Sequence, residues 1–236
     1  MNNPIIEFKD ISYSYGEGHL RRQVLFSLTG TVSAGEVVII TGPSGSGKTT
    51  FLTLIGALRR LQEGSVNLLG WELYGASQKV LREVRQNIGF IFQLHNLIDA
   101  LTAHQNLMMG LRLHPEIRSP SEAADNILEQ VGLGDHIDKF PRQLSGGQRQ
   151  RVAIARALVM RPKIILADEP TALLDGKTGR VIVEQLHDLA TKQGATVLLV
   201  TYDPRVLDIA DRVLALEDGR FVDMTIGEAG RTGLLK

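Results

Sequence analysis

The residues best suited to chemistry form the stretch GPSGSGKTT, Gly42 to Thr50. This stretch fits the phosphate-loop pattern G-x-x-x-x-G-K-[ST], in which close glycines let backbone N–H groups face an anion. Lys48 would reach the outer phosphates of a nucleotide, and the Thr49 hydroxyl would ligate Mg²⁺. An ordinary glycine-rich turn is the alternative, but the stretch lies between an apolar run and a helical pattern, as the motif requires. The predicted phosphate-binding residues are Gly42, Pro43, Ser44, Gly45, Ser46, Gly47, Lys48, Thr49 and Thr50.

A pair of acids, Asp168 and Glu169, follows a second apolar run, KIILAD. Asp168 is placed to hold the shell of a Mg²⁺ ion, and Glu169 could polarise an attacking water. For a lone Asp-Glu pair, two acids at an exposed strand end would be the better interpretation. Beside a phosphate loop, the pair favours a catalytic site.

A second candidate anion site lies in LSGGQRQR, Leu144 to Arg151. Ser145 is suited to cap a helix that opens with Gly146 and Gly147, and such a helix start attracts anions. Because the chain already has one phosphate loop, this second site is expected to serve the nucleotide of a neighbouring subunit.

Three continuous apolar runs predict strands that are buried on both faces, as in a parallel sheet: Val37 to Thr41, Lys163 to Asp168, and Thr196 to Thr201. Helical patterns alternate with them over 48–61, 147–160 and 179–194, the last with Gly194 as its C-cap. Strands alternating with helices predict a doubly wound α/β core, whose ligands bind at the carboxyl ends of the strands.

Two regions depart from this alternation. Residues 5–40 and 63–72 carry alternating segments that predict an antiparallel β portion, and residues 94–160 are mostly helical in pattern. One helix start combines Ser119 as N-cap, Pro120 at the first position and Glu122 as a capping-box partner. The tail from Asp223 to Lys236 is expected to be loosely ordered.

The composition bounds the possible functions. The 236 residues carry 26 Lys+Arg and 26 Asp+Glu, so a global basic field for nucleic acid is absent, and no nucleic-acid partner is expected. There is no cysteine, which excludes disulfides and thiolate metal sites. No signal pattern begins the chain, and no apolar run approaches the roughly 18 residues that span a bilayer. At a membrane, another chain would have to do the spanning.

The order of the motifs resembles that of the ATP-binding cassette (ABC) ATPases, with LSGGQ as their signature motif. The resemblance implies a single P-loop NTPase domain that binds ATP and Mg²⁺ and hydrolyses ATP. The core would consist of residues 1–93 and 161–222, with a mostly parallel sheet and the antiparallel β portion. A helical signature subdomain (94–160) and a tail (223–236) would complete the domain. It also implies a head-to-tail homodimer, in which each ATP lies between the phosphate loop of one subunit and the signature motif of the other.

The same resemblance assigns roles to further residues. Tyr15 matches the aromatic that stacks on adenine, with Tyr13 as its rival, and Gln93 matches the glutamine that touches Mg²⁺ or the attacking water. Asp168 matches the Walker B aspartate. The predicted metal ligands are Thr49, Gln93 and Asp168, and the predicted catalytic residues are Lys48, Gln93, Glu169 and Tyr202. The residues expected to contact the opposite subunit's ATP are Ser145, Gly146, Gly147, Gln148 and, in the D-loop ALLD, Asp175.

Within the family, FQLHNLIDALTAHQNL and DEPTALLDGKTG resemble the macrolide and lipoprotein-type systems (MacB, LolD), and LDIADRV resembles the DevA-type exporter ATPases. This similarity implies a membrane permease as partner and a peripheral position at the cytoplasmic face of the inner or plasma membrane. A periplasmic adaptor often completes such a system, and the cargo would be a lipid, lipoprotein or amphiphile. The alternative is a cell-division type that signals through a permease-like partner. A stand-alone P-loop kinase is disfavoured by the signature motif, Gln93 and the D-loop.

One position departs from the family pattern. The third apolar run ends in VTYD, so Tyr202 stands where the family has a histidine that contacts the γ-phosphate. Tyrosine is a neutral hydroxyl donor at neutral pH and cannot readily serve as a cation. We expect tight ATP-driven closure with slow hydrolysis. The alternative is that the hydroxyl replaces the imidazole with a modest loss.

Overall fold

The computed structural model describes residues 4–226. The first half of the chain contains β1 (Pro4–Tyr15), β2 (Arg22–Ser33), β3 (Val37–Thr41), α1 (Lys48–Ile55), β4 (Glu63–Leu68), β5 (Trp71–Glu72), α2 (Gln78–Gln86), β6 (Ile88–Ile91) and α3 (Ala103–Leu111). The second half contains α4 (Pro120–Gln130), α5 (Gly146–Leu158), β7 (Ile164–Asp168), α6 (Gly176–Gln193), β8 (Thr196–Val200), β9 (Arg212–Glu217) and β10 (Arg220–Ile226).

The central sheet has the strand order β10-β9-β3-β8-β7-β6. Its pairs from β9 to β6 are parallel, and only the edge strand β10 is antiparallel to its neighbour. The three strands expected from the apolar runs, β3, β7 and β8, are its central members and are buried almost throughout. The predicted mostly parallel α/β sheet is therefore confirmed. The sequence patterns did not predict β6 and β9.

A second sheet is antiparallel, with the order β2-β1-β4-β5. It accounts for the β portion predicted over 5–40 and 63–72. The exception is the end of the first range, which forms β3 and belongs to the central sheet. The two sheets are joined by a shared apolar layer, because Ile6 and Phe8 of β1 pack in the same cluster as Val38 and Ile40 of β3.

The core has two layers, one on each face of the central sheet. Alternate residues of β3 divide between them: Val37 and Ile39 pack with helices α3 to α6, whereas Val38 and Ile40 pack with α1 and the antiparallel sheet. This division follows from the two-residue period of a strand. It explains why the central strands are apolar at every position rather than at every second one.

Most predicted helix bounds need small corrections. Helix α1 ends at Ile55 rather than at Leu61 and is followed by Gly56. Gly194 does end α6, in the left-handed conformation with φ of 71°. The capping box predicted for Ser119 and Glu122 is wrong: α4 begins at Pro120 as expected, but Ser119 has ψ of 71°, and its side chain caps no N–H group of the described residues.

The strand β10 extends to Ile226 and pairs with β9. It therefore includes the first four residues of the tail that we expected to be loosely ordered from Asp223, and the rest of that tail, 227–236, lies outside the described residues. Across 4–226, no helix combines the length and the apolar character needed to cross a membrane.

Candidate nucleotide-binding site

The carboxyl ends of β3, β7 and β8 open into a cavity of about 360 Å³. Its walls bring together residues of motifs that lie up to 187 positions apart: Tyr15, Val24, Ser44, Gly45, Gly47, Lys48, Thr49, Thr50, Gln93, Asp168, Glu169 and Tyr202. This is the edge of the sheet at which ligands bind in open α/β folds. The structure thus groups the phosphate loop, both acids, Gln93, Tyr15 and Tyr202 around one space.

Glycine is required at two positions of the phosphate loop. Gly42 has φ of 136°, and a Cβ atom there would lie 1.9 Å from the carbonyl oxygen of Leu216. Gly47 has φ of 103°, and its Cβ atom would lie 2.6 Å from a methyl group of Leu25. The loop is consequently wedged between β2 and the end of β9. Helix α1 starts at Lys48, and no side chain of the described residues caps it, which leaves its N-terminal N–H groups for an anion.

Lys48 is buried, and its ammonium group is fully engaged. Its Nζ atom donates hydrogen bonds to the carbonyl oxygens of Gly42 (2.7 Å) and Pro43 (2.9 Å) and to the hydroxyl oxygen of Tyr202 (2.6 Å). The Oγ of Ser46 lies farther away, at 3.5 Å. The ammonium also lies 4.2 Å from the centre of the Tyr202 ring.

Thr49 and Asp168 form the other polar corner of the cavity. The Thr49 hydroxyl donates to Oδ2 of Asp168 at 2.7 Å, although the two residues are 119 positions apart. Burial raises the pKa of Asp168, and the Thr49 hydrogen bond and the charge of Lys48 oppose this shift. Two convergent oxygen side chains fit Mg²⁺, which prefers oxygen ligands and keeps several waters and phosphate oxygens in its shell. Gln93 lines the same cavity.

Glu169 directly follows β7 and has the unusual φ of 50°. Burial is the largest cause of its raised pKa, and the neighbouring charge of Asp168 adds to it. Hydrogen bonds from the Tyr202 backbone N–H and the Thr201 side chain and the charge of Lys48 act in the opposite direction. Its Oε1 atom is buried and lacks a hydrogen-bond partner within the described part of the chain. A carboxylate oxygen in this state is suited to accept a proton from water.

Tyr15 is fixed at the side of the cavity. Its hydroxyl lies 3.0 Å from Oγ1 of Thr50, and the Arg59 guanidinium lies 5.0 Å from its ring centre. The ring of Tyr13 meets it edge-on at 5.2 Å. Tyr13 itself packs against the core, and among the described residues that line the cavity Tyr15 is present and Tyr13 is not. The geometry favours Tyr15 over Tyr13 as a platform for a base.

The loop that carries Gln93 is held by helix α5. Arg156, in the last turn of that helix, donates to the carbonyl oxygens of Asn96 (2.6 Å) and His95 (2.9 Å). Burial lowers the pKa of Arg156. The position of Gln93 is thereby tied to the helical part of the chain.

The signature motif lies away from this cavity. Ser145 caps α5 and forms a capping box with Gln148, whose amide nitrogen also lies 2.9 Å from Nε2 of His136. In the described structure neither these residues nor Gly146, Gly147 and Asp175 line the cavity. Asp175 instead caps α6 by accepting from the N–H groups of Lys177 and Thr178. The D-loop and the signature motif are neighbours, because a Cβ atom at Gly147 would lie 3.3 Å from the carbonyl oxygen of Leu173.

Several residues of the site were not predicted. Val24 lines the cavity because β2 crosses the phosphate loop, and no motif marks it. Arg59 and Arg156 act through contacts with residues 44 and 60 positions away in the sequence, which local patterns do not encode. Thr201 carries a weaker signal, since it is a polar residue that ends an apolar run.

The fold and the site together define a P-loop nucleotide-binding domain. Residues 25–172 match the family model described as ABC transporter. The chain is 40% identical to the lipoprotein-releasing system ATP-binding protein LolD of Shewanella oneidensis, over 93% of this chain and 96% of that protein. It is also 40% identical to the uncharacterized ABC transporter ATP-binding protein YknY of Bacillus subtilis, over 95% and 98% of the two chains. This chain belongs to the ABC transporter family.

Solved structures agree with this assignment. The dimeric ATP-binding cassette MJ0796, in a post-hydrolysis state bound to ADP and Pi, superposes with a TM-score of 0.90 and 37% identity, covering 94% of this chain and 98% of that chain. The structure named cbiO1 from Clostridium perfringens, part of the complex cbiONQ, gives a TM-score of 0.84 at 27% identity, with coverage of 99% and 92%. The resemblance to ABC ATPases of the LolD and MacB subgroup is confirmed, whereas the closer similarity to DevA-type ATPases stays a prediction.

Proposed function

We propose that this chain is the ATP-hydrolysing subunit of an ABC transporter, and that two copies enclose two ATP molecules and drive a membrane permease. The observation that carries this proposal is the single cavity in which Lys48, the Thr49–Asp168 pair and Glu169 meet. A binding module without hydrolysis would not need, beside the phosphate loop, a carboxylate that has a raised pKa and an oxygen with no hydrogen-bond partner among residues 4–226.

Each residue has a distinct role in this proposal. The loop N–H groups and Lys48 bind the phosphates, and Tyr15 stacks on the base. Thr49 and Asp168, together with Gln93, would hold Mg²⁺, which supplies charge neutralisation for the phosphates when it is bound. Glu169 orients a water and accepts its proton, since its raised pKa makes it a better base than an exposed glutamate.

The location of the signature motif supports the proposed dimer. Ser145, Gly146, Gly147 and Gln148 lie outside their own chain's cavity in the described structure, so they are available to the nucleotide of a second copy. Asp175 and the exposed Leu173 belong to the adjacent D-loop, which would lie in the same interface. MJ0796, which shares the fold closely, was solved as a dimer.

The permease would dock on the helical part of the chain. A cavity of about 390 Å³ lies between α2, β6 and the helices α3 and α5, and its lining includes Phe90 and Phe92, which stack at 4.3 Å. Large apolar side chains nearby in the sequence are exposed, Leu94 at 78% and Leu113 at 56%. Arg156 lines the same cavity and holds the Gln93 loop, which provides a mechanical link from the permease to the ATP.

The remaining features of the system follow by analogy with relatives. LolD is named as part of a lipoprotein-releasing system, which supports a lipid, lipoprotein or amphiphile as cargo. Such a role places the chain peripherally at the cytoplasmic face of the membrane, with a periplasmic adaptor as a further partner. The equal numbers of basic and acidic residues, 26 each, favour no nucleic-acid partner.

Tyr202 is expected to slow hydrolysis. Its hydroxyl accepts a hydrogen bond from Lys48 of the phosphate loop, and it lines the same cavity as the proposed base, Glu169. A neutral hydroxyl gives less stabilisation to a charged transition state than an imidazolium does. The loss of such a group costs about 10²–10⁴ in rate.

The proposal is tested by single-turnover and steady-state ATP hydrolysis with Mg²⁺. We expect slow turnover by the parent, faster turnover by Tyr202→His, and none by Glu169→Gln. Tyr74→His is the matched control, because Tyr74 is exposed and is not among the described residues that line the cavity, and it should behave like the parent. Activity of Glu169→Gln equal to the parent would exclude Glu169 as the base. A Tyr202→His variant no faster than the parent would show that tyrosine is an adequate substitute for histidine.

A further inference from the structure

The contact between Lys48 and Tyr202 has a consequence for nucleotide selectivity. A lysine ammonium has three N–H donors. In this structure two of them point to the loop's own carbonyl oxygens, those of Gly42 and Pro43, and the third points to the Tyr202 hydroxyl at 2.6 Å. Tyr202 is the partner that can be exchanged, because its side chain is 53% exposed and follows the end of β8.

The tyrosine hydroxyl accepts the hydrogen bond that a terminal phosphate oxygen would accept. We propose that the Tyr202 hydroxyl is an internal substitute for the γ-phosphate at Lys48, and that it shifts the nucleotide preference of the chain from ATP toward ADP. This inference rests on the proposed function, because it requires that the cavity binds these nucleotides through Lys48.

The two nucleotides differ in what they must displace. ATP brings its terminal phosphate to Lys48, so the Lys48–Tyr202 bond must break and the tyrosine ring must leave the ammonium. ADP lacks that phosphate, and the hydroxyl can stay on Lys48. A hydrogen bond to a charged group changes an equilibrium by about tenfold or more. The same bond re-forms after hydrolysis and phosphate release, which favours the ADP-bound state.

This selectivity is separate from the slower hydrolysis that we expect of Tyr202. It also opposes the tight ATP-driven closure that we expect from the sequence. It depends on the hydroxyl oxygen alone. The ring contributes separately, through the cation–π contact at 4.2 Å. Tyr202→Phe keeps the ring and removes only the oxygen, so this substitution isolates the proposed competitor of the γ-phosphate.

The test is a measurement of dissociation constants with Mg²⁺ for ADP and for the non-hydrolysable β,γ-imido analogue of ATP. It compares the parent, Tyr202→Phe and the control Tyr74→Phe, whose side chain has a matching exposure of 54%. We expect the ratio of the two constants to move about tenfold toward the ATP analogue in Tyr202→Phe, almost entirely through tighter binding of the analogue. Tyr74→Phe should leave the ratio unchanged.

Two results would overturn the inference while leaving the proposed function intact: a ratio in Tyr202→Phe that equals the parent's, or a ratio that moves toward ADP. If the parent bound neither nucleotide, the proposed function and this inference would both fail. Because the assay measures binding alone, its outcome is independent of whether Tyr202→His hydrolyses ATP faster.

Discussion

Replacing Glu169 by glutamine should stabilise the nucleotide-free protein at neutral pH. The folded structure buries one carboxylate oxygen of Glu169 without a partner in the described region, and burial raises the pKa of the group. A buried polar group left unsatisfied costs about 1–3 kcal/mol, and more when it is charged. A neutral amide of the same shape removes the charge, and we expect a gain of about 1 kcal/mol in the free energy of unfolding. In a chain of this size that corresponds to a Tm increase of about 2–4 °C.

The sign of the pH dependence follows from linkage. Because the folded state binds the Glu169 proton more tightly than the unfolded state, ionisation destabilises the fold as the pH rises above 4.5, the ordinary pKa of a glutamate. The Tm advantage of Glu169→Gln should therefore be present at pH 7–8 and vanish as the pH falls toward 4. Thermal unfolding without nucleotide or Mg²⁺, from pH 4 to pH 8, measures this difference.

Glu129→Gln, on the exposed surface of α4, is the control for removing a carboxylate without changing a buried site. An advantage of Glu169→Gln that is equal at all pH values, or that grows toward low pH, would refute the reasoning. It would show that the stabilisation comes from packing rather than from the charge of Glu169.

Two further predictions concern Tyr15, which we expect to stack on the adenine of ATP, and the D-loop. Tyr15→Ala should weaken ATP binding about 10- to 100-fold and leave tripolyphosphate binding unchanged, because base stacking on an aromatic ring contributes about 1–3 kcal/mol; an equal loss in Tyr13→Ala, measured by the same titrations, would contradict this assignment. Asp175→Ala should lower the Tm at neutral pH by about 2–4 °C, because the capping bonds to the N–H groups of Lys177 and Thr178 are lost. The hydrogen bond from the Thr178 side chain is the main cause of the lowered pKa of Asp175. The difference in Tm between the parent and Asp175→Ala should therefore shrink as the pH falls through that pKa. Thermal unfolding measures this difference, and a difference that persists at low pH would contradict the explanation.

The central strands of the fold were predictable from the sequence because both faces of the sheet are buried there. Residues of β7 and β8 are buried at every position, so an unbroken apolar run is the only pattern compatible with them. The outer strands β6 and β9 lack this signal. β6 has only four residues, and β9 is exposed or partly exposed at four of six positions, so neither gives an apolar run that stands out from its surroundings.

Those parts of the site were predictable whose functional residues lie close together in the sequence. The phosphate loop and the Asp168-Glu169 pair require particular residues at fixed spacing, so the pattern survives in the sequence. The contact of Lys48 with Tyr202 spans 154 positions and depends on the parallel pairing of β3 with β8. The sequence indicated that Tyr202 departs from the family histidine, but only the folded chain shows which group its hydroxyl meets.

In the proposed dimer, helix α5 connects the two nucleotide sites to which one chain contributes. Ser145 caps its first turn, at the end that carries the signature motif, and Arg156 in its last turn holds the loop of Gln93. These residues are 11 positions apart on one helix, a distance of about 16 Å along its axis. Since a helix of this length moves as a rigid body, a shift that brings Ser145 toward a partner's nucleotide must also displace the support of Gln93 beside this chain's own nucleotide. If the chain dimerises as proposed, closure of the dimer and adjustment of the catalytic cavity are therefore mechanically coupled through α5.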